Sequence, residues 1–169
     1  LKASSTGSIW VTKDYTTYMY NHGHCAIVSG LGYNSGNLYI LTVEHLGDKA
    51  GYKYSQVYNS LYSNHWKDRN TMRVYDVKSN THSSTPDKSK MNAAGKYASE
   101  NLRGKRYNPV AHKNDTYVNC ATLVYKAYRS QGIYLENPVS TTVVPKDIVK
   151  DTNVMMKVSI EWPGGEHTW

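Results

Sequence analysis

The chain has 169 residues, a formal net charge of +7, 16 tyrosines and no phenylalanine. This length is typical of one domain that buries its own core, so we predict a single domain over residues 1–169. No apolar run is long enough to span a membrane. The basic residues are scattered, without the dense run or signature motif of a nucleic-acid-binding protein.

Four strands are predicted in the first half of the chain, at residues 7–12, 24–30, 38–45 and 71–77. The second and third are apolar runs separated by turn-forming glycines and asparagines, so we expect them to pair as an antiparallel hairpin. Residues 13–23 are polar and rich in tyrosine, which predicts a loop or a short irregular helix. Residues 52–68 show no clear period, and no element is predicted there.

The second half of the chain is predicted to contain three helices. The first covers residues 89–102, the second begins at Cys120 and stops at Gly132, and the third covers residues 145–149 with Pro145 at its first position. A last strand at 154–160 precedes a tail. Strands at both ends of the chain, with helices between them, indicate an α+β fold and not alternating βαβ units.

The second helix places a cysteine in its first turn. Asn119 is a favourable N-cap, because its side-chain oxygen accepts a free backbone N–H. Free N–H groups and the positive end of the helix dipole favour the thiolate of Cys120, which is the form that attacks carbonyl groups. The alternative interpretation is that Cys120 is a small buried apolar residue.

A nucleophilic cysteine needs a base and usually a third group that orients the base. His24 opens a predicted strand, and imidazole titrates near neutral pH. Glu44, in the partner strand, is placed to accept from one ring nitrogen while the other faces the thiol. Strand alternation puts His45 on the face opposite Glu44, so one of the two shares the site face. The same alternation turns Cys25 away from His24, so we expect Cys25 to be packed and not catalytic.

Each of these residues also has a non-catalytic interpretation. His24 is also typical of a hydrogen-bonded residue at a strand end, and Glu44 of a solvated strand residue. His22 shares a strand face with His24, so a metal site formed by these two histidines and Glu44 is a further alternative. No metal-binding motif is present, so we predict neither a metal nor a cofactor. Cys25 and Cys120 are also able to pair, although one pair is not a disulfide framework.

Six short segments form an ordered series along the chain. They are residues 7–12 (GSIWVT), 23–28 (GHCAIV), 42–45 (TVEH), 104–108 (GKRYN), 119–124 (NCATLV) and 144–148 (VPKDI). Together they resemble the circularly permuted papain-like amidases and peptidases of the YiiX-like group, relatives of the NlpC-type cell-wall peptidases. That family places its histidine first, its polar residue next and its cysteine last, which is the order of His24, Glu44 and Cys120.

The resemblance implies a papain-like (NlpC-type) fold in circularly permuted order, with an antiparallel sheet packed against helices that include the cysteine helix. It implies that Cys120 is the nucleophile, His24 the base and Glu44 the residue that orients His24. Tyr107 matches a family tyrosine that lines the active site, so we expect it to bind substrate or the oxyanion. Departures at Ser8, at Asn119 and over residues 52–68 leave the substrate open.

We therefore predict a cysteine hydrolase that cleaves peptide or N-acyl amide bonds. Its expected substrate is a small peptide or acyl-amide, for example one derived from peptidoglycan, and we expect a monomer. An acyltransferase or lipid thioesterase on the same scaffold, or a non-catalytic module that binds anionic surfaces, are the alternatives. The first residue, Leu1, and the Tyr-, Ser- and Thr-rich composition favour a processed protein that is secreted or lies in the cell envelope.

Overall fold

Six strands form one antiparallel sheet, and helices pack against it, in a computed structural model that describes residues 3–14, 22–47, 51–59, 64–67 and 69–169. The α+β class predicted from the sequence is confirmed. The strands are β1 (Ile9–Thr12), β2 (His24–Asn34), β3 (Asn37–Glu44), β4 (Gln56–Asn59), β5 (Met72–Val77) and β6 (Val154–Ile160). The helices are α1 (Asn64–Lys67), α2 (Lys88–Asn101), α3 (Cys120–Arg129) and α4 (Pro145–Lys150). The strand order across the sheet is β4-β3-β2-β1-β5-β6.

The hairpin of β2 and β3 is longer than the sequence predicts. The predicted turn over residues 31–37 is wrong: β2 continues to Asn34, and only Ser35 and Gly36 make the turn, with φ of 51° and 80°. Two successive residues with positive φ form the tight hairpin turn that matches the twist of paired strands. The extension is largely exposed, with Tyr33 at 73%, so it carries no apolar pattern that could have revealed it.

The two faces of the sheet bury separate apolar clusters. The face that meets α2 and α3 carries alternate residues of β1 and β2, including Val11, Cys25 and Ile27. The opposite face carries the intervening residues, including Trp10 and Ala26, and packs against Trp66 of α1. Because strand side chains alternate, both faces of β1 and of the first half of β2 are buried.

Helix α2 approaches the sheet closely through a glycine. A Cβ on Gly95 would lie 2.6 Å from the carbonyl oxygen of Val28 and 2.8 Å from the methyl group of Thr6. Helix α3 lies beside it, and every residue from Cys120 to Tyr128 is buried. The Tyr128 hydroxyl donates to the carbonyl of Gly7 at 2.5 Å, which ties the last turn of α3 to the segment before β1. The helix is thereby fixed beside the sheet.

A buried arginine holds the segment that follows β6. The guanidinium of Arg73 is completely buried and donates to the carbonyl of Thr168 at 2.8 Å and to the Tyr75 hydroxyl at 3.0 Å. Its carbon atom Cζ also lies 4.4 Å from the centroid of the Trp162 ring. The ring of Trp169 packs edge-on against Trp162. The segment predicted as a tail is therefore attached to the sheet.

Residues 52–68, where no element was predicted, contribute β4 and α1; part of this range, like much of residues 13–23, lies outside the described residues. The other predicted strands and helices are present within a few residues. Helix α3 ends at Arg129, and Gly132 follows in the left-handed conformation with φ of 74°. Among the described residues, no helix combines the length and the apolar character needed to cross a membrane.

Candidate active site

Three elements meet at one end of the sheet. His24 is the first residue of β2 and Glu44 is the last residue of β3. The two strands are antiparallel neighbours, so the start of one lies beside the end of the other. Cys120 is the first residue of α3, which packs on β2. The structure thus brings together the three residues predicted as catalytic, although their roles remain predictions.

A short hydrogen bond joins the histidine to the carboxylate. Nε2 of His24 lies 2.8 Å from Oε1 of Glu44, and both side chains are almost fully buried. The Thr42 hydroxyl donates to Oε2 of Glu44 at 2.5 Å, and Nε1–H of Trp66 donates to both carboxylate oxygens at 3.0 and 3.2 Å. A buried carboxylate with this many donors is stabilised in its ionised form. Glu44 therefore presents a negative charge to His24.

The second ring nitrogen of His24 is available for a hydrogen bond with Cys120. Because Nε2 is engaged with Glu44, Nδ1 is the ring nitrogen left for the hydrogen bond between His24 and Cys120. Burial lowers the pKa of His24, but the hydrogen bonds and negative charges of Cys120 and Glu44 outweigh it and raise this pKa to about 9. The imidazolium is therefore the form that this environment favours at neutral pH.

The pKa of the Cys120 thiol is shifted in the opposite direction, below its usual range. A hydrogen bond with the Cys25 thiol is the largest cause that lowers the pKa of Cys120. Burial raises this pKa, and the hydrogen bond and positive charge of His24 lower it again, so that it lies well below its usual range. A cysteine with a lowered pKa next to a protonated histidine is a thiolate–imidazolium pair, which is the reactive state of thiol enzymes.

The start of α3 is capped in a way that leaves one donor beside the sulfur. The side-chain oxygen of Asn119 accepts from the backbone N–H groups of Ala121 and Thr122, at 2.9 and 2.7 Å. The Thr122 hydroxyl in turn accepts from the N–H of Asn119 at 2.8 Å, which completes a capping box. The predicted N-cap is correct. The N–H of Cys120 is the remaining donor of the first turn, and it projects from the residue that carries the sulfur.

Cys25 lies closer to the chemistry than the sequence indicates. It is fully buried on the face of β2 that meets α3, on the side opposite His24, as strand alternation predicts. Yet its thiol forms a hydrogen bond with the thiol of Cys120. Burial raises the pKa of Cys25, and the hydrogen bond and negative charge of Cys120 raise it further. Cys25 is thus a neutral S–H donor next to a thiolate, and both cysteines are reduced.

His45 and Tyr107 form a separate pair near the site. The structure brings Glu44, not His45, to His24. His45 accepts from the N–H of Gly47 through Nδ1 at 3.0 Å, and its ring centroid lies 4.9 Å from that of Tyr107. Tyr107 is buried and is bridged to Val118, two residues before Cys120. Its expected role in oxyanion or substrate binding remains a prediction.

Three residues of this site were not identified from the sequence. Thr42 shares a strand face with Glu44, two residues away, which was an available signal. Trp66 is an isolated tryptophan in a polar stretch, and a buried indole N–H usually has a partner. Cys25 was excluded from the predicted site because the side chains of His24 and Cys25 point to opposite faces of β2. The start of α3 lies at the beginning of β2, where both side chains can reach Cys120.

Comparisons with known proteins concern the fold. No protein-family model matches the chain, and no curated protein matches its sequence. The metalloprotein YiiX from Escherichia coli O157:H7 has a solved structure that aligns with a TM-score of 0.58 over 94% of this chain and 98% of that chain. This chain has a YiiX-like fold. The sequence identity is 14%, so this structural similarity establishes the fold alone.

Proposed function

We propose that the protein is a cysteine hydrolase that cleaves amide bonds, with Cys120 as nucleophile, His24 as acid and base, and Glu44 as the residue that orients His24. The observation that carries this proposal is the continuous set of contacts from Glu44 through His24 to Cys120 at the start of a buried helix. Such an arrangement of nucleophile, base and orienting group is the recurring requirement for covalent catalysis. We also propose that the YiiX-like fold is a circularly permuted papain-like fold.

In the acylation step the thiolate of Cys120 attacks the carbonyl carbon of the substrate. The oxyanion that forms accepts from the N–H of Cys120, the donor of the first helical turn that Asn119 and Thr122 leave available. The imidazolium of His24 gives its proton to the departing amine, and the C–N bond breaks. A thioester on Cys120 and a neutral imidazole remain.

In the deacylation step the neutral imidazole of His24 accepts a proton from water as the water oxygen attacks the thioester. The C–S bond then breaks, the carboxylic acid leaves, and the thiolate–imidazolium pair is restored. Glu44 supports both steps, because its carboxylate fixes the ring orientation through Nε2 and stabilises the positive charge on the imidazolium. Thr42 and Trp66 hold the carboxylate in place.

A basic depression near the segment that leads into α3 suits a substrate with a carboxylate. A cavity of about 270 Å³ is lined by Gly104, Lys105, Arg106, Thr116 and Tyr117. Tyr107 follows this basic pair directly and is bridged to Val118, so the cavity lies beside the segment that leads into Cys120. Small peptides and N-acylated amino acids, including peptides derived from peptidoglycan, carry such carboxylates, and we propose them as the substrate class.

A metal centre fits this arrangement poorly, although YiiX is described as a metalloprotein. Among the described residues, no group of three or more histidine, cysteine, aspartate or glutamate side chains is placed to hold a metal ion. Nε2 of His24 and Oε1 of Glu44 are also bonded to each other at 2.8 Å. We therefore derive no catalytic step through a metal.

The proposal is tested by incubating the purified protein with muropeptides and with N-acyl amino acids, and identifying the products by mass spectrometry. Wild-type protein should release free amines, and Cys120→Ala should release none. An iodoacetamide probe should label Cys120 faster than free cysteine at pH 6. The hydrolase proposal is overturned if Cys120 labels no faster than free cysteine and no substrate turns over. Transfer of the acyl group to an amine or lipid in place of water would indicate the acyltransferase alternative.

A further inference from the structure

One buried thiol exchanges no proton and forms no bond in the proposed hydrolysis. Cys25 lies on β2 next to His24, but its side chain points into the core with Val11 and Ile27. Its thiol belongs to the same buried cluster as the thiol of Cys120, where α3 packs on β2, and a hydrogen bond between the two shifts both pKa values. The chain contains two cysteines in all, and both lie in one buried cluster although they are 95 positions apart in the numbering.

We propose that Cys25 and Cys120 form a redox pair, in which a peroxide oxidises Cys120 and Cys25 then closes a reversible disulfide. The site for this modification consists of the first residue of α3 and the second residue of β2. The inference rests on the thiolate of Cys120, which the proposed function also uses, but it does not require that the protein hydrolyse any substrate.

The chemistry balances in two steps. In the first, the thiolate of Cys120 attacks one oxygen of hydrogen peroxide, the O–O bond breaks, and the other oxygen leaves as hydroxide, which takes up a proton to become water. The sulfur is oxidised to a sulfenic acid and the peroxide is reduced. In the second, the sulfur of Cys25 attacks the sulfenic sulfur, the S–O bond breaks, and the hydroxide leaves with the thiol proton as a second water.

The environment assigns the two cysteines different roles. Cys120 retains 2% of its surface exposed and Cys25 none, so a small oxidant reaches Cys120 first. Cys120 is also next to His24, which stabilises the thiolate that peroxide requires. The Cys25 thiol is kept protonated by burial and by the charge on Cys120. Oxidation of Cys120 to a neutral sulfenic acid removes that charge, so Cys25 becomes a better nucleophile at the moment when it is needed.

The test measures thiols and mass, not turnover. Wild-type protein is treated with hydrogen peroxide, and its free thiols are counted by iodoacetamide labelling and peptide mapping. We expect labelling of Cys120 to fall at least about tenfold, with the loss of two hydrogen atoms from the intact mass, and dithiothreitol to restore it. A peptide that links Cys25 to Cys120 should appear before reduction.

Variants of Cys25 supply the matched comparison. Cys25→Ser keeps a hydrogen-bond donor of similar size but cannot form the disulfide, and Cys25→Ala removes the donor too. In both, peroxide should add two oxygen atoms to Cys120, and dithiothreitol should not restore its labelling. The proposal is overturned if wild-type Cys120 gains oxygen atoms without forming the linked peptide. Because the wild-type measurement stands alone, it decides the matter even if a variant fails to fold, and it does so whether or not hydrolysis is ever observed.

Discussion

His24 and Glu44, the first residue of one strand and the last residue of its neighbour, are joined by a 2.8 Å hydrogen bond in the protein interior. An antiparallel hairpin places these two positions together at the same end of the sheet. The consequence is a histidine with one nitrogen committed to a carboxylate and the other directed to the start of α3. The electrostatics of the site follow from this pairing.

The first prediction concerns pH. The pKa of Cys120 is lowered and that of His24 is raised to about 9, so the thiolate–imidazolium pair exists above the first value and below the second. Hydrolysis should therefore be maintained through neutral pH and decline as the pH rises through about 9, where His24 loses the proton that the leaving amine needs. Initial rates measured from pH 5 to 10 check this; a rate that still rises above pH 9 would contradict it.

A second prediction concerns the carboxylate. Glu44→Gln removes the negative charge beside His24 while keeping a similar shape, so the imidazolium should be less stable and the hydrolysis rate should fall by roughly 10²–10⁴-fold. Trp66→Phe removes the indole donor to Glu44 and keeps an aromatic ring of smaller size against Trp10 and His24, so it should cost about tenfold or less. Steady-state kinetics on the best substrate compares the two. Equal losses in both variants would mean that Glu44 acts through packing and not through its charge.

The main elements of the site could be read from the sequence because their signals are local. The apolar run after His24 and the N-cap before Cys120 each depend on neighbouring residues, and the structure contains the corresponding strand and cap. The pairing of the two strands followed from the turn-forming residues between them. Local patterns were sufficient here because β2 and α3 are buried and strongly apolar.

The rest depended on tertiary contacts that no local pattern encodes. Strand β4 and helix α1 are short, and the Trp66 indole is fixed by the carboxylate of Glu44 and the ring of Trp10. The contact between Cys25 and Cys120 arises where a helix begins at the end of a strand, a geometry that strand alternation alone does not contain. Arg73 sits in an alternating strand and gave no sign that its charge would be buried.

A third prediction concerns the glycine before His24. Gly23 has φ of 79°, and a Cβ there would lie 2.4 Å from the carbonyl oxygen of Thr12 and 2.9 Å from the Trp169 ring. Gly23→Ala should displace the start of β2 and reduce hydrolysis at least about tenfold, because small misplacements of catalytic groups are costly.

Gly36→Ala is the matched control for that variant. Gly36 has φ of 80°, but its added methyl group would meet no atom within 4 Å. It should lose roughly 1 kcal/mol of stability from the left-handed conformation and keep its activity. If both variants remain equally active, the conformation of Gly23 does not position His24.

A fourth prediction concerns stability. Arg73→Met replaces a fully buried guanidinium with an apolar chain. It removes the donor to the hydroxyl of Tyr75 and to the carbonyls of Pro163 and Gly164, whereas the carbonyl of Thr168 keeps the indole N–H of Trp162. Buried acceptors that lose their partners cost about 1–3 kcal/mol each, so we expect the free energy of unfolding to fall by roughly 3 kcal/mol. Urea titration followed by tryptophan fluorescence measures it. Arg103→Met, the same change at an exposed position, should alter stability by no more than about 0.5 kcal/mol. Equal stability of the two variants would show that the contacts of Arg73 with the segment after β6 contribute little, and that the segment is held by its tryptophans instead.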